Sequence, residues 1–153
     1  MEPGQAHRPS VAGYLVALVG AVGWVVGCFL PLYDITEPAG LTISFYRQIS
    51  FGSAGTKIGG LLYLFGGIAA IGVISIFGVL RNRNWTGVLL AGAVVAWALI
   101  SIGVLISLAG SIGEFNPGAS FGIGYWCCWA SVVIVVAGTA MVLVARREDA
   151  AGL

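Results

Sequence analysis

Residues Thr86 to Ala109 read TGVLLAGAVVAWALISIGVLISLA, a run without one charged side chain. A helix needs about 20 such residues to cross a bilayer core roughly 30 Å thick, and this run has that length. Working outward, Gly59 to Leu80 precedes it, Phe121 to Ala145 follows it, and Val11 to Leu32 lies nearest the N-terminus; none of the three contains a charge. Four apolar stretches therefore take up most of the 153 residues. With 59% hydrophobic and only 8% charged residues, the chain carries more apolar surface than a soluble fold can hide. The expected fold class is an all-α membrane protein, a single domain over residues 1–153. It is read as an antiparallel bundle of four transmembrane helices spanning about 11–32, 59–80, 86–109 and 121–145.

The connectors refine this reading. Arg81, Asn82, Arg83, Asn84 and Trp85 form a link so short that the spans on either side must be antiparallel neighbours. The outer loop, 33–58, is the one connector long enough to hold structure. Within it Leu41, Ile43 and Phe45 alternate with Thr42, Ser44 and Tyr46, which predicts a short strand. Asn116, Pro117 and Gly118 mark a turn cluster in a third loop, from Gly110 to Ser120. Pro9 and Ser10 open the first helix, with Ser10 as its expected cap, and Pro31 marks the exit.

Orientation follows from the basic residues, because positive segments resist translocation. Arg8, Arg81, Arg83, Arg146 and Arg147 fall on one side of a four-span chain, and Arg47 and Lys57 on the other. This places both termini in the cytoplasm of a plasma (inner) membrane, with loop 33–58 outside. The segment Val25, Val26, Gly27, Cys28 fits the loose pattern of a lipoprotein cleavage site. The apolar run continues through Phe29, Leu30, Pro31 and Leu32, however, so the first helix is expected to stay in place. A net charge of +1 with no basic stripe excludes nucleic acid as an implied partner.

The 24 glycines carry the packing information. Small residues recur at helical spacing in each span: Gly13, Ala17, Gly20 and Gly27; Gly60, Gly67 and Gly78; Gly92, Ala96, Gly103, Ser107 and Gly110; Gly124, Cys128, Ser131 and Gly138. In lipid, helices associate where small residues let backbones approach, so Gly20, Gly23, Gly27, Gly67, Gly103, Gly124 and Gly138 are expected packing positions. Gly23 and Gly27 form a further small-xxx-small pair that could face the bundle or another protein. Tyr33, Trp85, Tyr125, Trp126 and Trp129 sit near span ends and are expected as interfacial anchors, while Trp97 lies nearer mid-span, in packing or lipid contact.

Signatures of chemistry are sparse. The apolar stretches hold no ionisable group of the kind that couples transport to protons, which sets the chain apart from the small four-span multidrug exporters. The single histidine, His7, has no second histidine to work with. No catalytic, cofactor-binding or metal-ligating set is expected, and the chain is read as a non-enzyme. Cys28 lies about one turn inside the outer end of the first span, and Cys127 and Cys128 lie at similar depth in the fourth. A disulfide from Cys28 to either, or small buried thiols filling a helix contact, are both open readings. No CxxC occurs, so the likeness to four-span thiol oxidoreductases such as vitamin K epoxide reductases fails at its motif.

Short termini, the exit Phe29, Leu30, Pro31, Leu32, Tyr33 and the segment Gly122, Ile123, Gly124, Tyr125, Trp126 resemble the small four-span membrane proteins common in actinobacteria. The strand-bearing outer loop resembles claudins in general layout, but the tryptophan and paired cysteines of that loop are absent between Tyr33 and Ile58. The functional expectation is an accessory or scaffold subunit docking with a larger envelope or membrane complex, with Phe45, Tyr46, Arg47 and Gln48 as the candidate partner contact. The other reading is a small homo-oligomeric transporter or pore for an apolar or lipid-like substrate. Expected partners are the bilayer and a membrane protein or further copies of the chain.

Overall fold

The computed structural model describes residues 8–35, 41–44, 62–81, 84–115 and 119–151. In chain order these form α1 (Arg8–Phe29), β1 (Tyr33–Ile35), β2 (Leu41–Ile43), a π-helical turn (Leu62–Gly66), α2 (Gly67–Arg81), α3 (Asn84–Phe115), β3 (Ala119–Phe121) and α4 (Ile123–Ala151). Helices α1, α3 and α4 are long and apolar enough to cross a membrane. Helix α2, also apolar, has 15 residues and rises about 22 Å.

Several boundaries differ from the sequence reading, each for a local reason. Helix α1 starts at Arg8, so Pro9 occupies the first turn, where its missing N–H has no partner to lose, and Ser10 is inside the helix instead of capping it. Its exit is set by Pro31, which drives Leu30 out of helical geometry. Gly110 to Phe115, expected as loop, continue α3 without interruption, making it 32 residues or about 48 Å long. Asn116 to Gly118, Gly60 and the partner-contact candidates Phe45 to Gln48 lie outside the described residues.

The helices form a ring in which α1 touches α4 and α2, and α3 touches α4 and α2. Cross-contacts fix the directions. Gly13 of α1 faces Gly138 and Val142 of α4, Gly20 faces Val135, and Gly27 faces Cys128, so residue numbers run oppositely and the pair is antiparallel. Phe29 stacks on Phe65 at one end of the α1–α2 contact, and Tyr14 meets Gly78 at the other. Gly67 meets Trp97 of α3, and Gly87 of α3 meets Arg146 of α4. The α1–α2 pair is antiparallel as well.

The α1–α4 seam is the closest. A Cβ on Gly138 would stand 2.5 Å from the Ala17 nitrogen, and one on Gly124 would stand 2.9 Å from the Gly27 oxygen. Backbone meets backbone there because neither residue has a side chain to hold them apart. Across the ring, Trp24 of α1 and Trp97 of α3 meet edge to face with centroids 5.0 Å apart. The two buried indoles fill the middle of the bundle together with Ile68, Ile71, Leu90, Val94, Val132 and Val135.

Outside, all four helices expose large apolar side chains, among them Val19, Val22, Val73, Phe77, Leu80, Val88, Leu99 and Val133. A surface of this kind suits lipid and not water. Three short strands cap the end where α1 exits and α4 begins. Strand β1 is central and pairs antiparallel with β2 (Tyr33 opposite Ile43) and β3 (Tyr33 opposite Phe121). The expected strand is therefore present over Leu41–Ile43, while β1 and β3 were not foreseen.

Candidate functional site

Polar and reactive groups gather at the two ends of the bundle. At the end holding the α2–α3 connector, the Arg146 guanidinium turns inward from α4. Its Nη2 donates to the Tyr14 hydroxyl at 2.9 Å and to Thr86 Oγ1 at 3.1 Å, and those two hydroxyls are 2.8 Å apart. Tyr14 and Thr86 are buried. Two glycines make the room: a Cβ on Gly87 would stand 2.8 Å from Arg146 Nε, and one on Gly78 would overlap the Tyr14 ring. The cluster thus joins all four helices through side chains from three and a glycine gap in the fourth. An arginine at a span end ordinarily snorkels outward toward headgroups. Here the gap at Gly87 lets it point into the bundle.

Sequence reasoning missed this site because Arg146 sits just past the apolar run and reads as tail. The available signal was Tyr14 and Thr86 near the ends of their spans, with Gly78 and Gly87 flanking the short connector. Two further buried hydroxyls behave locally: Ser131 donates to the Cys127 carbonyl at 2.7 Å and Thr139 to the Val135 carbonyl at 2.9 Å. Such back-bonding satisfies a hydroxyl inside a helix without linking it to a neighbour.

At the opposite end, Cys28 and Cys128 are both fully buried, while Cys127 is half-buried. Directly beyond them the cap is tied to the bundle by backbone bonds, from the Gly122 nitrogen to the Leu32 oxygen (2.9 Å) and from the Gly124 nitrogen to the Pro31 oxygen (2.6 Å). Trp126 is exposed and Tyr125 buried, with Tyr125 stacked on Phe121 at 4.4 Å; Trp85 is exposed at the other end.

The small-residue positions divide into two groups. Gly20, Gly23, Gly27, Gly124 and Gly138 lie in the α1–α4 seam, and Gly67 lies against Trp97. Gly23 and Gly27 face Ser131 and Cys128, inside the bundle. Gly103 does not pack inside: with Gly92, Ala96, Ser107 and Gly110 it faces outward, and a Cβ at any of the three glycines would meet open space. The reason is the opposite face of α3, where Leu90, Val94, Trp97 and Leu105 fill the core and leave no room for the small face.

Open grooves flank α3. One of about 310 Å³ runs between α3 and α4 over Val95, Ala98, Leu99, Val136 and Ala140. Another of about 350 Å³ lies between α2 and α3 over Gly67, Ala70, Ala93, Ala96 and Trp97. Among the described residues, no three His, Cys, Asp or Glu side chains converge as a metal site requires. Comparison with protein-family models, curated proteins and solved structures finds nothing that matches this chain.

Proposed function

We propose that the chain crosses the membrane four times and acts as a non-enzymatic accessory subunit, docking laterally against a larger membrane complex through the outer face of α3. The observation that carries this reading is the outward line of Gly92, Ala96, Gly103, Ser107 and Gly110. In the α1–α4 seam a small face is matched by another helix. On α3 it is left as a shallow trough, the form that lets a foreign helix bring its backbone close. The filled centre around Trp24 and Trp97 favours a solid scaffold over a conduit. Arg81 and Arg147, exposed at the same end as Arg146, favour a cytoplasmic position for that end. The opposite cap then presents the outer loop, with Phe45, Tyr46, Arg47 and Gln48 as a second contact.

A homo-oligomer moving an apolar or lipid-like substrate is the second reading. It is favoured by the two grooves on the flanks of α3, each large enough for part of an acyl chain.

Isolation of the tagged protein from its native membrane in mild detergent tests both. The docking reading expects a stoichiometric foreign subunit with the wild type and its loss with Gly103→Leu, a substitution the bundle has space to accept. Recovery of a homo-oligomer alone would overturn docking and support the second reading if flux appears in liposomes.

A further inference from the structure

We propose that Cys28 and Cys128 form a redox pair that closes to an intramolecular disulfide by exchange with a small-molecule or protein disulfide, locking the capped end of α1 to α4. The geometry selects this pair among the three cysteines. Cys28 and Cys128 are both fully buried in the α1–α4 seam, whereas Cys127, one residue and 100° around the helix, is half-buried. The Cys128 sulfur stands 3.0 Å from where a Cβ on Gly27 would be, next door in sequence to Cys28. A disulfide needs Cα atoms about 4.4–6.8 Å apart. Gly27 and Gly124 bring the α1 and α4 backbones together beside the pair, a Cβ on Gly124 standing only 2.9 Å from the Gly27 oxygen.

The position gives the bond a consequence. One turn beyond Cys128, Gly124 bonds to Pro31 and Gly122 to Leu32, and the chain passes directly into the β1–β3 pairing. A covalent link at Cys28 and Cys128 fixes the base of this cap, so its three strands can no longer part from the bundle.

The exchange balances with a donor disulfide. One cysteine thiolate of the pair attacks a donor sulfur, giving a mixed disulfide and releasing the first donor thiolate. The second cysteine then attacks the mixed disulfide, the new S–S bond closes, and the second donor thiolate leaves. The two thiol protons pass to the two donor thiolates, so the donor is reduced by two electrons and the pair oxidised by two. Because both thiols are buried when the seam is closed, the first attack belongs to the moment when the last turn of α1 opens from α4.

The test uses the whole chain purified in detergent, exposed to oxidised glutathione, then denatured and counted for free thiols with a polyethylene-glycol maleimide. One reactive cysteine is expected after oxidation and three after reduction. The oxidised form should migrate faster in a non-reducing gel, since roughly 100 residues are closed in a loop. Cys127→Ser should leave closure intact, and Cys28→Ala or Cys128→Ala should each abolish it. Alanine fits the seam, and a melting curve on each variant separates loss of the bond from loss of fold. Three reactive cysteines after oxidation, a bond that disappears with Cys127→Ser, or a disulfide-linked dimer would each overturn the proposal. None of these outcomes bears on lateral docking, which co-purification decides.

Discussion

At the scale of single residues, the same residue type has opposite roles on different helices. Gly138 and Gly103 are both mid-span glycines with small neighbours at helical spacing, and nothing local separates them. A Cβ on Gly138 would stand 2.5 Å from the Ala17 nitrogen and 2.7 Å from the Gly13 oxygen, both rigid backbone atoms, while one on Gly103 would touch nothing. Gly138→Val should therefore push α1 and α4 apart and cost about 1–3 kcal/mol, the usual range for overpacking. Gly103→Val should leave stability within about 0.5 kcal/mol. Unfolding of both variants in a graded detergent series would check the contrast, and equal losses would contradict the assignment of their faces. The Arg146 cluster gives a second expectation. Thr86→Val removes a hydroxyl bonded to both Tyr14 and Arg146, and cross-helix bonds in membranes average about 0.6 kcal/mol with a maximum near 1.7. A double-mutant cycle with Tyr14→Phe should show coupling of that order. Additive losses would mean the hydroxyls act independently.

At the scale of elements, what the sequence exposed was hydrophobic periodicity and length, and what it hid was register. The spans could be placed because a run such as Thr86 to Ala109 has one physical home. The end of α3 could not, since Ser111 to Phe115 carry turn-compatible and helix-compatible residues alike, and the helix simply continues. Strand β2 was legible because the alternation in the sequence continues from Leu41 to Tyr46. Strands β1 and β3 were not, because three residues give no period, and their pairing is imposed by the α1–α4 seam that brings Pro31 beside Gly124. The faces of α3 were hidden for a different reason. Its small stripe is visible in the sequence, but the opposite stripe of Leu90, Val94, Trp97 and Leu105 competes for the core and wins by burying more volume. Trp97 holds that choice in place through its edge-to-face contact with Trp24. Trp97→Ala should cost about 3–5 kcal/mol, the range for large-to-small aromatic changes, and Trp97→Phe much less. Thermal denaturation in detergent would measure both; a mild effect of alanine would show that α3 can rotate and present another face.

At the scale of the whole molecule, the depth of α2 decides how many times the chain crosses the membrane. Its 15 helical residues rise about 22 Å, short of a bilayer core near 30 Å. Two features argue that it crosses nonetheless. Helix α2 lies along most of α1, from the Phe65–Phe29 stack at the capped end to the Gly78–Tyr14 contact at the other, so it covers nearly the depth that α1 covers. The π-helical turn at Leu62–Gly66 also runs straight into it and extends the ordered rise toward the cap. Its outer face, with Val73, Ile76, Phe77 and Leu80 exposed, matches the lipid-facing surfaces of the three long helices. Four crossings put Arg81 and Arg147 on one side and Ser44 on the other. With three crossings and α2 lying outside the bilayer, Arg81 and Arg147 would both share a side with Ser44 instead. Single reporters Ser44→Cys, Arg81→Cys and Arg147→Cys, built on a chain with Cys28, Cys127 and Cys128 all changed to alanine, separate these arrangements. Labelling by a membrane-impermeant maleimide in sealed cells should modify the Ser44 reporter alone, and permeabilisation should add the other two. Labelling of the Arg81 and Arg147 reporters together with Ser44 would remove α2 from the membrane. Thr86 and Arg146 would then lie on the opposite side of the membrane from Tyr14, and the cluster that joins the three could not form.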